Sequence, residues 1–180
     1  MCHFISAVLP ASADVAALTA VAEKHGRRLR PQGNPSVRKE LRTGENFYLT
    51  TAGHCDCGTP LGALAASAAD DTQVHIRKLR AKGWSESKIA RWREQRDEHK
   101  AQKAAADRIA SEAGMAQWLG FLAEALARSD TPYICLLIHN YGGALDGDIE
   151  LSGRQVTKLR EADAAFLGYM SDDVLYEFRA

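Results

Sequence analysis

The densest run of chemically competent side chains in the sequence is His54-Cys55-Asp56-Cys57-Gly58, set between Gly53 and Thr59-Pro60. Thiolates and imidazoles are the ligand types that select zinc or iron, and the flanking glycines allow tight backbone turns. In an extended chain alternate side chains share a side, so Cys55 and Cys57 point the same way and two sulfurs can grip one ion. Two sulfurs are half of a tetrahedral set. The missing ligands must come from His54, His139, Cys2 or His3. Cys2 and His3 can join Cys55 and Cys57 if the first two strands run antiparallel or the loop folds back. The expected metal site is therefore His54, Cys55, Cys57, Cys2 and His3, with zinc as the expected ion. The plainer alternative is a set of reduced thiols in a Gly-rich turn.

Cys135 and His139 lie on one face of an apolar run but four positions apart, roughly 13 Å at ~3.3 Å per residue, so they cannot share an ion in a regular strand. Cys135, between Ile134 and Leu136, reads as a small buried hydrophobe. His139, beside Asn140 and a Gly pair, is the better site candidate. Cys2 offers a second chemistry: removal of Met1 leaves a terminal amine able to serve as base for its own thiol. With His139-Asn140, this start resembles the N-terminal-nucleophile amidohydrolases such as class II glutamine amidotransferases. The resemblance covers only those positions. It implies a Cys2 nucleophile with His139 as base, a thiol-dependent hydrolase activity and a four-layer sandwich. The sequence departs from that family where His3 replaces the glycine after the nucleophile and Tyr141 interrupts the Asn-Gly pair.

The elements that must position these residues follow from periodicity. Residues 2–9 are apolar on both faces, as in a central strand covered on both sides, and Pro10 ends the run. Ser12 is the expected cap of a helix carrying Val15, Leu18, Val21 and Ala22 on one stripe and closed by Gly26. Residues 27–45, polar with Pro31, Gly33, Pro35 and Gly44, read as an extended loop, and residues 47–51 as a strand. From Leu61 to about Asp130 the pattern is helical: one piece over 61–69, a second over 72–82, then a long helix capped by Ser85. Apolar spacing at Met115, Leu119, Leu122 and Leu126 docks the end of that helix on the core. Residues 133–139 form the strongest strand and 149–151 a short one. Ser152 with Gln155 reads as a capping box opening a helix that Gly168 ends, and 174–179 reads as a final peripheral strand. The order β-α-β, helical insertion, β-β-α-β predicts an α+β fold, a mixed β-sheet with helices packed on it. Residues 1–60 and 131–180 form the expected core and 61–130 the insertion.

Charge points to the insertion as a contact surface. The 180 residues balance 23 Lys+Arg against 23 Asp+Glu, which argues against a surface built for nucleic acid or anionic membrane. That neutrality is partitioned: residues 75–108 hold 11 basic and 5 acidic side chains, residues 129–180 hold 4 and 9. The segment 79–89 has a helix-turn-helix rhythm, but Glu94, Asp97 and Glu98 weaken phosphate binding, and a helical hairpin packing Leu79, Trp84, Ile89 and Trp92 needs the same residues. A protein partner, or self-association through residues 85–108, fits better than nucleic acid. Thirty alanines make much of the apolar fraction helical filler. No apolar run approaches the ~20 residues of a membrane helix, and the start lacks a signal-peptide pattern, so a cytoplasmic protein is expected. Phosphate-loop, dinucleotide, HExxH and GxSxG motifs are absent. The leading reading is a metal-binding regulatory protein rather than an enzyme; the alternatives are a thiol hydrolase, with Cys2 or Cys55 as nucleophile, His54 or His139 as base and Asp56 or Asn140 as orienter, and a metal-free inhibitor or immunity-type protein.

Overall fold

The computed structural model describes residues 2–62, 72–128 and 131–180. The chain is α+β, with one six-stranded mixed sheet. Its strands are β1 (Cys2–Pro10), β2 (Arg30–Pro31), β3 (Glu45–Leu49), β4 (Ile134–Tyr141), β5 (Gly153–Lys158) and β6 (Val174–Arg179), in the spatial order β2-β3-β1-β4-β6-β5. All neighbours are antiparallel except β5 and β6. The chain divides into two compact units, residues 1–64 with 112–180, and residues 65–111. Among the described residues no helix is long and apolar enough to cross a membrane.

In the larger unit, β1 is central because both of its faces are apolar. Ile5, Ala7 and Leu9 enter one buried cluster, with Ile134, Leu136 and Ile138 of β4. Phe4 and Val8 enter the other, with Phe47, Leu49, Cys135 and Leu137. Helix α1 (Val15–Lys24) buries Leu18, Val21 and Ala22 against the first cluster. Its cap is Asp14, whose carboxylate accepts from the Ala17 N–H at 3.0 Å, and not Ser12. It ends as expected at Gly26 (φ 68°): the Arg27 N–H donates to Ala22 O at 2.7 Å and the Gly26 N–H to Glu23 O at 3.0 Å, a Schellman closure. The C-terminal end of the long helix adds Met115, Trp118, Phe121, Leu122, Ala125 and Leu126 to the same cluster.

Four further local expectations are corrected. The 27–45 stretch is not a continuous loop: it holds β2 and helix α2 (Pro35–Glu40), capped by Asn34, which accepts from the Ser36 and Val37 N–H groups. Asn34-Pro35 is a cap followed by a first-turn proline, a signal masked by a helix with one buried side chain, Val37. Residues 149–151 are not a strand, and the segment opened by Ser152 is β5 rather than a helix. Pairing with β6 supplies it with a full parallel ladder, which outweighs the local capping signal. Helix in this region is confined to a 3-10 turn (Leu159–Glu161) and the five residues Ala164–Gly168, capped by Asp163. Finally, β6 is not peripheral, since it lies between β4 and β5.

The smaller unit is a helical hairpin of α3 (Thr72–Ala81) and the start of α4 (Glu86–Arg128), turned at Gly83 (φ 77°). Ile76 and Ile89 are its buried pair. Lys88 sits over the Trp84 ring, and Trp92 stacks with His75. Charges pair on the surface: Arg80 donates to Glu86 at 2.8 and 3.1 Å, and Arg93 lies 4.0 Å from Asp97 one turn on. The expected helix over 61–69 falls almost entirely outside the described residues.

Candidate metal centre

The site is built where β1 outruns its neighbour. β3 pairs with β1 only from Ser6 to Pro10, which leaves the backbone groups at the start of β1 without a strand partner on that side. The segment after β3 fills the vacancy. The Thr50 N–H donates to Ile5 O at 3.0 Å, and the Asp56 N–H donates to His3 O at 2.8 Å. The Ile5 N–H donates to Asp56 Oδ2 at 2.9 Å, and the His3 N–H to Cys57 Sγ at 3.2 Å. The Cys-Asp-Cys motif therefore completes the edge of β1 with one backbone group, one carboxylate and one sulfur.

Asp56 is the anchor. Its carboxylate is buried at 1% exposure and also accepts from Thr51 Oγ1 and, at 2.9 Å, from Arg27 Nη1. The Arg27 guanidinium lies 4.1 Å from the centre of the Trp118 ring. Desolvation lowers the pKa of Arg27 despite the opposing pull of Asp56, as expected for a cation taken out of water. The Asp56 carbonyl accepts from the Thr59 N–H and hydroxyl at 2.8 and 2.9 Å. The chain then closes so tightly that a Cβ on Gly62 would stand 2.1 Å from Asp56 O. With Asp56 turned inward, the residues on either side of it turn outward.

That alternation brings Cys55 and Cys57 to Cys2, and the three sulfurs lie within 4.8 Å of one another. Cys2 and Cys55 are half-buried and Cys57 is exposed. The His3 N–H, aided by the neighbouring thiols, holds the Cys57 thiol below its ordinary pKa. For Cys55 the Cys57 N–H favours the thiolate, but the sulfurs of Cys57 and Cys2, together with burial, outweigh it and raise the pKa. Cys135 lies apart in the core beneath a network in which Arg154 and Arg42 pair with Glu177 while Arg154 also pairs with Glu45, and burial pushes its thiol up to about 12.

The histidines named by the sequence are placed otherwise. His3 alternates with Cys2 to the opposite face of β1 and directs Nε2 towards Asp172 at 3.5 Å. His139, on the same face as Cys2, bonds through Nδ1 to Asp173 and packs edge-on against Tyr141. It is thereby committed to a carboxylate rather than to the Cys2 thiol. His54 is exposed and lines an open groove of about 480 Å³ with Cys2, Phe4, Arg30, Leu49 and Tyr141. None of the three imidazoles joins the sulfur group. The two-sheet sandwich implied by the amidotransferase resemblance is not formed, since the described strands make one sheet. Sequence reasoning missed Asp56 as an anchor. The available signal was a carboxylate whose side chain must point opposite to two outward cysteines, that is, into the protein.

No family model, curated protein or solved structure matches the chain.

Proposed function

We propose that Cys2, Cys55 and Cys57 bind a transition-metal ion, zinc being the best fit, and that the chain acts as a binding or regulatory protein rather than as an enzyme. The observation that carries this reading is the mutual approach of the three sulfurs within 4.8 Å. A tetrahedral zinc thiolate site has Zn–S of ~2.3 Å and hence sulfur–sulfur separations of ~3.8 Å. Rotation about Cα–Cβ bonds closes that gap. The His3 N–H donated to Cys57 Sγ is the kind of outer contact that orients a thiolate ligand. His54, in the same groove as Cys2, is the fourth ligand in this reading, with a solvent molecule as the alternative. Reduced thiols in such a site agree with a cytoplasmic location.

The test is elemental analysis with thiol titration of untagged protein. One ion per chain is expected, with Cys2, Cys55 and Cys57 unreactive until chelator is added. Stoichiometric metal should vanish in Cys57→Ser and persist in Cys135→Ala. Metal-free protein with three freely reacting thiols would sink the reading. The helical hairpin, including residues 85–108, is proposed as the contact surface for a protein partner or a second copy. Its exposed cations, among them Lys88 and Arg93, support this. Concentration-dependent sedimentation that reverts on Lys88→Glu with Arg93→Glu would support self-association. Binding with a steep inverse salt dependence to duplex DNA would instead favour a nucleic-acid role.

A further inference from the structure

We propose that the cluster is also a thiol–disulfide switch, in which Cys57 and Cys2 form a disulfide on reaction with a low-molecular-weight disulfide such as glutathione disulfide. The bridge itself rests on the three sulfurs alone; its competition with metal rests on the metal reading above.

Geometry selects the pair. Cys57 is the exposed member and Cys2 and Cys55 are half-buried, so an incoming disulfide meets Cys57 first. Two bridges from Cys57 are then conceivable. A Cys55–Cys57 bridge joins residues two apart in the turn that follows β3 and closes a small ring through Asp56. The ring would also have to turn about Asp56, which is held by Ile5, Thr51 and Arg27. Cys2 is on a separate segment, at the start of β1, and its sulfur lies within 4.8 Å of that of Cys57. That segment is fixed by the His3 N–H on Cys57 Sγ and the Asp56 N–H on His3 O. Its bridge to Cys57 joins two separately anchored segments and closes no such small ring. Cys135 is fully buried in the core and does not compete.

The chemistry balances without a further oxidant. Cys57 sulfur, as thiolate, attacks one sulfur of the small disulfide. That S–S bond breaks, one thiolate leaves and takes up the proton that Cys57 gave up, and a mixed disulfide remains. Cys2 sulfur then attacks Cys57 sulfur, the mixed S–S bond breaks, and the second small thiolate leaves with the proton from Cys2. Two protein thiols are oxidised and one disulfide is reduced to two thiols. Cys55 is left as the one thiol of the three, so the metal loses two of its three sulfur ligands.

The experiment uses the full chain in chelator, treated with glutathione disulfide and followed by intact mass and peptide mapping. Expected are a loss of two hydrogens, two glutathiones released per chain, and a Cys2–Cys57 crosslinked peptide. Cys55→Ser should still form the bridge. Cys2→Ser should stop with one glutathionyl group attached. Cys57→Ser should react about tenfold more slowly or worse. A stable mixed disulfide in the unaltered chain, a Cys55–Cys57 peptide, or a Cys57→Ser variant as fast as the parent would each overturn the proposal. A parallel metal-loaded sample separates the two readings. A chain that binds metal yet forms no bridge refutes the switch alone, and one that bridges yet never binds metal refutes the metal site alone.

Discussion

Replacing Asp56 by Ala should unfold the site from beneath. The carboxylate neutralises Arg27 and accepts from the Ile5 N–H and the Thr51 hydroxyl, all in the interior. Its removal leaves a guanidinium against Trp118 with no counter-charge and a buried amide with no acceptor. Breaking a buried pair from one side costs about 3–5 kcal/mol. For a chain of this size each kcal/mol moves the melting temperature by about 2–4 °C, so the fall should be roughly 6–20 °C. The measurement is urea and thermal unfolding in chelator and reductant, so that neither metal nor disulfide contributes. Asp56→Asn, which retains one oxygen for the Ile5 N–H, should fall between parent and Ala. Adding Arg27→Met to Asp56→Ala should recover the part due to the unpaired charge and leave the part due to Ile5. A second readout follows the site: thiol reagents should modify Cys55 faster in the Ala variant, because the half-buried position of its sulfur depends on Asp56 anchoring the segment. A loss below about 1 kcal/mol, with unchanged Cys55 reactivity, would refute Asp56 as the anchor.

Other consequences are smaller in scope. Gly62→Ala puts a Cβ 2.1 Å from Asp56 O and should cost about 1–3 kcal/mol, whereas Gly58→Ala, with nothing within 4 Å, should lie within about 0.5 kcal/mol of the parent; urea midpoints compare the two. Glu45 is held below its ordinary 4.5: burial alone would raise it, but hydrogen bonds from Arg154, the Arg42 N–H and Tyr133 prevail. A depressed folded-state pKa contributes stability that is fully present above the unfolded value and is lost as pH falls through the folded one. Urea midpoints should therefore drop as pH falls below about 4.5, and Glu45→Gln should flatten that dependence. An unchanged slope in the variant would show that the acid transition belongs to other groups.

Residues whose environment is set by near neighbours were readable in the sequence. The two apolar faces of β1, the Gly26 closure of α1 and the shared side of Cys55 and Cys57 all follow from local periodicity or backbone freedom. Features set by distant partners were not. Ser152 and Gln155 carry a helix-start pattern, but β6 offers that segment a ladder that local propensity does not record. His3 and His139 looked like ligands because imidazole is a ligand type. They are instead directed at Asp172 and Asp173, which the β1–β4–β6 register brings to them. The third sulfur was conditional on chain direction: Cys2 reaches Cys55 and Cys57 because β1 and β3 are antiparallel and the loop after β3 returns along β1. Asp56 was hidden for the opposite reason. The sequence offers it only as an orienter for a catalytic histidine, while the partners that make it an anchor, Arg27 and Thr51, stand in other segments.

The same hydrogen bonds decide how metal and folding are linked. In small zinc modules the ion is the core, and the apo chain is unfolded. Here the open edge of β1 is satisfied by Asp56 and Cys57 themselves, and the buried members of the apolar clusters on both faces of the sheet include none of the three sulfurs, of which Cys2 and Cys55 only pack against one cluster. Metal should therefore add to a fold that already exists. The chelated chain should keep a cooperative thermal transition, and an ion at about a thousand times its dissociation constant should add about 4 kcal/mol, roughly 8–16 °C at about 2–4 °C per kcal/mol. Cys57→Ser is the informative variant, since its oxygen can still accept from the His3 N–H while losing a soft ligand. It should match the chelated parent in calorimetry and gain nothing from added zinc. A chelated parent without a cooperative transition would mean that the three sulfurs hold the fold together, and that Asp56 does not.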